Sequence, residues 1–208
     1  MIVYVARHGE TDWNRAGRYQ GQRESSLTDI GRAQAASLGA ALAEQPISRV
    51  ISSPLRRCSE TAEAVARFHS TPIETDANLL EIAHGTWEGR LRDEIARTDA
   101  ERMRRWREAP ETVQFEGGES LIDTDRRWRT FAQGLNGKNG LVLVTHDVLV
   151  RLAILNATAQ PLSRFWEPRV VNGGYARFSV QNGAWRLLDE CVDKHLAGLL
   201  VDPMQQAL

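Results

Sequence analysis

The stretch that decides the fold is Ile2-Val3-Tyr4-Val5-Ala6-Arg7-His8-Gly9-Glu10-Thr11, in which an apolar run leads directly into a polar loop. Ile2 to Ala6 are continuously apolar and rich in β-formers, which predicts a strand buried on both faces of a sheet. Arg7 and His8 follow at once. The beginning of the chain therefore predicts a buried strand with a cation and an imidazole at its carboxyl end.

Two later strands are predicted to end in the same kinds of residue. The run at 49–52 leads into Ser53-Pro54-Leu55-Arg56-Arg57, and the apolar run at 141–145 ends in His146. In open α/β sheets, ligands bind beyond the carboxyl ends of the strands. The two histidines and an arginine are therefore predicted to share one crevice, although they lie far apart in the chain.

Helical patterns separate these strands. Thr28 is predicted to cap a helix that continues to about residue 44. Further helices are predicted at 56–68, 120–135 and 148–155, with strands at 72–75, 175–180 and 184–188. Strands that alternate with helices predict a three-layer α/β/α sandwich around a mostly parallel sheet with an antiparallel edge.

The length of 208 residues predicts a single domain over residues 1–208. Residues 91–107 are polar, rich in arginine and only weakly helical in pattern, which predicts an exposed insertion. The inserted helical segment is predicted near residues 90–135.

The charge balance limits the classes of partner. The 26 basic and 27 acidic side chains give a net charge of −1, which supplies no electrostatic reason to expect nucleic acid or an anionic membrane. No stretch approaches the roughly 18 apolar residues that a membrane span requires, so a cytoplasmic protein is expected. A homodimer formed through the late antiparallel strands is a further hypothesis.

Cysteine and histidine usage argues against a metal site. Cys58 and Cys191 are the only cysteines, and the five histidines lack metal-type spacing. We therefore expect no metal and no cofactor.

A crevice with two histidines and an arginine suits phosphate chemistry. Arginine offers planar, bidentate donors to phosphate oxygens. A neutral imidazole can attack phosphorus and form an N–P intermediate, while a second histidine stabilises the charge of the transition state. The leaving alkoxide then needs a proton, for which Glu81 is the candidate carboxylic acid.

These residues resemble a known family. Arg7-His8-Gly9-Glu10-Thr11 with Trp13-Asn14 looks like the signature of the histidine phosphatase superfamily, the phosphoglycerate-mutase-like proteins. Similar motifs follow in the family's order at 27–31, 52–57, 81–89, 117–120 and 144–146. The resemblance spans roughly residues 1 to 155, and within the family it is to the phosphatase branch.

The resemblance implies a role for each matching position. His8 would be the nucleophile, and Glu81 the acid and base. Arg7, Arg57 and His146 would bind the phosphoryl group, with Arg57 preferred over Arg56 on the family pattern alone. The predicted substrate-binding set is Arg7, Asn14, Gln20, Gly21, Arg57, His84 and Asp147.

Three positions depart from the family pattern. Cys58 stands where alanine is usual, a change between small residues. Asp147 follows His146 where glycine is common, and its charge would repel phosphate if it pointed inward. His84, in Ala83-His84, replaces part of the usual acidic-aromatic pair, and substrate contact and ordinary packing are equally compatible with it.

The predicted function is hydrolysis of a small phosphorylated metabolite through a phosphohistidine on His8. The first alternative is a phosphoglycerate-type mutase, although dedicated mutases of the family carry longer insertions than this short chain. The second is a non-catalytic module that binds a phosphorylated ligand, which predicts a broken catalytic set.

Overall fold

A computed structural model describes residues 1–137 and 140–200. Its strands are β1 (Ile2–Arg7), β2 (Ile47–Ser52), β3 (Ile73–Thr75), β4 (Gly140–Thr145), β5 (Tyr175–Gln181) and β6 (Ala184–Val192). Its α-helices are α1 (Asp12–Arg15), α2 (Asp29–Leu42), α3 (Arg56–Ala66), α4 (Arg92–Thr98), α5 (Ala100–Glu108), α6 (Leu121–Gly134) and α7 (Asp147–Ala157).

The strands form one sheet in the order β3-β2-β4-β1-β5-β6. Strands β3, β2, β4 and β1 run parallel to one another, whereas β5 pairs antiparallel with both β1 and β6. The carboxyl ends of β1 and β4 are adjacent because Arg7 pairs with Thr145. This pairing brings the residues that follow both strands to the same edge of the sheet.

Side chains of β1 alternate between two hydrophobic layers. Tyr4 and Ala6 face a cluster that includes Leu38 of α2 and Val65 of α3. On the opposite face, Val3 and Val5 belong to the larger cluster, to which α4, α5, α6 and α7 contribute. The three-layer α/β/α fold with a mostly parallel sheet and an antiparallel edge is therefore confirmed.

Local sequence explains where the first long helix begins. The Thr28 side chain accepts a hydrogen bond from the backbone N–H of Gly31, as the predicted N-cap of α2 should. Ser120 caps α6 in the same way and forms a capping box with Asp123.

The expectation that residues 91–107 are simply exposed is wrong for one face. Ile95, Met103 and Trp106 of α4 and α5 are buried in the larger core, whereas the arginines around them lie outside it. Three apolar residues suffice to dock these helices because Trp106 alone has a large apolar surface.

The single domain over 1–208 stays a prediction, and residues 138–139 and 201–208 lie outside the described residues. Within those described residues, no helix combines the length and apolar character that crossing a bilayer would demand.

Candidate active site

His8 follows β1 directly, at the carboxyl edge of the sheet. Its backbone N–H donates to the Thr145 carbonyl at 3.0 Å, and its side chain is buried. Its Nδ1 lies 2.7 Å from the Gly9 carbonyl oxygen. Because a carbonyl only accepts, Nδ1 carries the proton and Nε2 keeps its lone pair.

The surroundings keep the His8 imidazole neutral. Burial lowers the pKa of His8 well below its usual value, and the positive charges of Arg57 and Arg7 lower that pKa further. The side chain is therefore a neutral base with a free Nε2 at neutral pH.

His146 follows β4 and stands beside His8 as predicted. The two ring centroids are 5.2 Å apart in an edge-to-face arrangement. Arg57 donates from Nε to His146 Nδ1 at 3.3 Å, which leaves Nε2 as the protonated nitrogen, 2.9 Å from Ser53 Oγ. Burial lowers the pKa of His146 well below its usual value, and Arg57 and His8 lower it further.

The Arg57 guanidinium is fixed by the loop that follows α1. It donates to the carbonyl oxygens of Gly21 at 2.7 Å and Arg23 at 2.8 Å. Arg56 instead pairs with Glu60 on the surface, with 68% of its side chain exposed. Of the two neighbouring arginines, Arg57 is therefore the one that lies in the crevice.

The Arg7 side chain is also buried and carries its own counter-ion. Its NH1 lies 3.1 Å from Asp147 Oδ2, and Asp147 Oδ1 lies 2.5 Å from Arg151 Nε. The Asp147 charge is therefore paired, because its two carboxylate oxygens lie against two different guanidinium groups.

Glu81 enters the crevice after a short 3-10 helix over Ala77–Leu79. Its carboxylate accepts from the Ile82 backbone N–H at 2.9 Å. Burial raises the pKa of Glu81 to about 7, with a further increase from Asp147, against the opposing effects of Ile82, Arg57 and Arg7. A carboxyl group with this pKa can donate and accept a proton near neutral pH.

Asn14 lies close to His8, because Asn172 Nδ2 contacts both the His8 carbonyl oxygen, at 3.1 Å, and Asn14 Oδ1, at 3.4 Å. Its side-chain oxygen accepts from the backbone N–H of Thr11 at 3.1 Å and from the Thr11 hydroxyl at 3.0 Å. Its Nδ2 is buried and has no hydrogen-bond partner among residues 1–137 and 140–200. A buried amide N–H₂ without a partner is a ready site for an anion oxygen.

Gln20 and Gly21 shape the loop around Arg57. Gln20 Oε1 accepts from the Ser25 hydroxyl at 2.5 Å and lies 3.0 Å from Thr11 Oγ1. Gly21 has a φ of +52°, and a Cβ there would lie 2.0 Å from Glu88 Oε1. A side chain at position 21 is therefore excluded by both conformation and space.

His84 lies in an aromatic cluster close to Glu81 in the chain. Its ring is 4.7 Å from that of Phe115 and 5.0 Å from that of Tyr19. Burial lowers the pKa of His84 to about 3, so its ring is neutral. Neither ring nitrogen has a hydrogen-bond partner in the described part of the chain, so substrate contact by His84 stays a prediction.

Sequence reasoning missed several residues that hold the site. Ser53 contacts His146, and Thr61 accepts from the Gly9 backbone N–H at 3.2 Å. Glu88 accepts from the backbone N–H groups of Gln22 at 3.1 Å and His84 at 3.0 Å. Ser53 and Glu88 lie within the motifs at 52–57 and 81–89, and Thr61 lies four residues beyond the first of these motifs. Across the described ranges, no cluster of His, Cys, Asp and Glu side chains is arranged to hold a metal ion.

Comparisons with known proteins agree with this geometry. Residues 3–192 match the sequence model of the histidine phosphatase superfamily (branch 1). The chain is 31% identical over 203 residues to phosphoserine phosphatase 1 of Hydrogenobacter thermophilus, a match that covers 96% of each protein. It is 30% identical over 188 residues to the probable phosphoglycerate mutase GpmB of Yersinia pestis, covering 89% of this chain and 87% of that protein. The solved structure of YhfR from Bacillus stearothermophilus has a TM-score of 0.90 at 30% identity, covering 94% of this chain and 98% of that one.

Proposed function

We propose, from the premise that this chain belongs to the histidine phosphatase superfamily, that it is a phosphomonoesterase that hydrolyses a small phosphorylated metabolite through a phosphohistidine on His8. The observation that carries the proposal is the bond between His8 Nδ1 and the Gly9 carbonyl. It leaves Nε2 of a neutral imidazole free in a crevice with two buried arginines. That arrangement supplies a nucleophile and the positive charge that a phosphoryl group requires.

In the first step, the Nε2 lone pair of His8 attacks phosphorus and the bond from phosphorus to the ester oxygen breaks. Glu81, in its protonated form, gives its proton to the leaving alkoxide. The guanidinium groups of Arg7 and Arg57 hold the phosphoryl oxygens, with the Asn14 amide as a further donor.

In the second step, water attacks the phosphohistidine. Glu81, now a carboxylate, takes a proton from that water as the N–P bond breaks, which regenerates neutral His8 and releases orthophosphate. One carboxyl group serves both steps because its pKa of about 7 allows either protonation state at neutral pH. No step in this sequence needs a metal or an organic cofactor.

The identity of the metabolite is proposed at the level of class. The similarity to phosphoserine phosphatase 1 supports a small phosphorylated substrate. Gln20, Gly21, His84 and Asp147 remain predicted substrate-binding positions. Homodimerisation through β6 and a cytoplasmic location likewise stay predictions, and light scattering of the purified protein tests the first of them.

A mutase is the second candidate because of the similarity to GpmB. A mutase would return the phosphoryl group to another hydroxyl of the substrate. Incubation with 3-phosphoglycerate distinguishes the two, since hydrolysis releases orthophosphate whereas isomerisation yields 2-phosphoglycerate without it.

The proposal is tested with p-nitrophenyl phosphate in the presence of EDTA. We expect hydrolysis by the wild type and none by His8→Ala, with His69→Ala as a matched histidine control outside the crevice. Loss of wild-type activity on chelation, or full activity in His8→Ala, would refute it. A non-catalytic module predicts phosphate binding without turnover of this ester or of a panel of metabolite phosphates.

A further inference from the structure

A chain of buried charges runs from the phosphoryl site to the far end of the first turn of α7. Asp147 is the first residue of this helix, and Arg151 lies one turn later. Asp147 uses one carboxylate oxygen for Arg7, at 3.1 Å, and the other for Arg151, at 2.5 Å. All three side chains are less than a tenth exposed.

Arg151 is itself held firmly by the segment that follows α7. It donates to the carbonyl oxygens of Pro168 at 2.5 Å and Trp166 at 3.4 Å. Its guanidinium carbon lies 5.6 Å from the ring centre of Phe165 and 5.2 Å from that of Trp166. Hydrogen bonds and cation–π contacts together leave this side chain little freedom.

Resting on the phosphatase function proposed above, we propose that Asp147 is a positioning residue that holds the Arg7 guanidinium against the phosphoryl site, and that Arg151 anchors Asp147 in turn. A flexible arginine loses conformational entropy when it binds phosphate, and a fixed counter-ion removes that cost beforehand. The carboxylate has the opposite effect as a charge, because it repels a phosphate dianion. If positioning of Arg7 dominates, removing the Asp147 charge weakens phosphate binding. If repulsion dominates, the same change tightens it, so the measured phosphate affinity decides between the two effects.

Asp147 also affects the proton chemistry of Glu81. The charges that act on Glu81 come from Asp147 on α7, Arg57 on α3 and Arg7 on β1, together with the Ile82 backbone N–H. Removal of the Asp147 charge favours the carboxylate form of Glu81. The alkaline limb of the pH profile is therefore expected to move to lower pH, which loss of packing alone would not do.

The test compares Asp147→Asn, Arg151→Lys and the double variant with the wild type. The matched control is Asp125→Asn, because Asp125 pairs with Arg129 at the same spacing of four residues on α6, at 2.7 Å. Affinity for orthophosphate is measured by calorimetry in EDTA, and thermal melts identify any variant that does not fold.

Asp147→Asn is expected to weaken orthophosphate binding about tenfold, which lies within the usual coupling free energy of residues in one salt-bridge network. Arg151→Lys is expected to weaken it severalfold in the wild-type background and to have no further effect in the Asp147→Asn background. If Asp147→Asn does not fold, the orthophosphate affinity of Arg151→Lys alone tests the proposal. Unchanged or tighter phosphate binding in the folded variants, or additive effects in the double variant, would overturn the inference. Because binding needs no turnover, an inactive wild type would refute the phosphatase function and still leave this comparison decisive.

Discussion

Replacing Glu81 by glutamine should separate substrates by the quality of their leaving groups. Glutamine keeps the size of the side chain and removes the transferable proton. An alkyl phosphate such as phosphoserine releases a strongly basic alkoxide, so loss of general acid catalysis is expected to lower kcat/KM by about 10²- to 10⁴-fold. p-Nitrophenolate leaves without protonation, and its kcat/KM should change little.

The pH dependence gives the same prediction a second readout. The pKa of Glu81 is about 7. Above that pH its protonated fraction falls about tenfold for each unit, so wild-type kcat/KM for the alkyl ester should fall with the same slope. The Glu81→Gln variant should show no such limb. The assay is the initial rate of orthophosphate release between about pH 5 and about pH 9. Equal losses for both substrates in the variant, or an alkaline limb that persists without Glu81, would refute the assignment of the acid.

Three further predictions follow from individual contacts. Arg57→Lys should lower kcat/KM about 100-fold because an ammonium cannot keep the bonds to Gly21, Arg23 and phosphate together, whereas Arg56→Lys should leave kcat/KM unchanged in the same assay. At pH 8, Glu81→Gln should raise the free energy of unfolding by on the order of 3 kcal/mol, because burial raises the pKa of Glu81 from 4.5 to about 7. The stability that protonated Glu81 contributes at low pH is lost from the wild type as the pH rises from the lower to the higher of these pKa values. Urea denaturation at about pH 5 and about pH 8 shows whether the variant is more stable than the wild type mainly at the higher pH. Trp106→Ala should lower the free energy of unfolding by about 3–5 kcal/mol in the same measurement, since Trp106 is 1% exposed, and a loss below about 1 kcal/mol would contradict its place in the core.

The sheet was predictable because its central strands are unusually apolar. Residues 2–6 and 141–145 have no polar alternation, and a sheet covered on both faces is where such strands occur. Their adjacency also placed His8 and His146 together, since parallel neighbours end at the same edge of the sheet. The start of α2 was predictable for an equally local reason, because the Thr28 side chain caps the helix.

Other features depend on tertiary contacts that a single sequence does not show. Arg56 and Arg57 are distinguished by the direction in which their side chains leave α3, because neighbouring residues on a helix point about 100° apart. The proton on His8 Nδ1 depends on the Gly9 carbonyl, and the pairing of Asp147 depends on the end of β1. The ion pair between Asp147 and Arg151 could have been predicted, because residues four apart on a helix lie next to each other.

The misjudged segment at 91–107 has a physical explanation. Its arginines form ion pairs with neighbouring acids, as Arg104 does with Glu101 and Glu108. These pairs dominate the composition of the segment, so the few residues that reach the core are easily overlooked. Ile95, Met103 and Trp106 nevertheless lie on buried faces, and that is what docks α4 and α5.

The phosphohistidine itself is open to direct observation in the Glu81→Gln variant. With p-nitrophenyl phosphate, the first step needs no acid but the second still needs the base, so the phosphoenzyme should accumulate. Rapid mixing is expected to show a burst of one nitrophenolate per active site, and mass spectrometry with ³¹P NMR should place the phosphoryl group on Nε2 of His8. Absence of a burst, or a phosphoryl group on any other atom, would contradict the account.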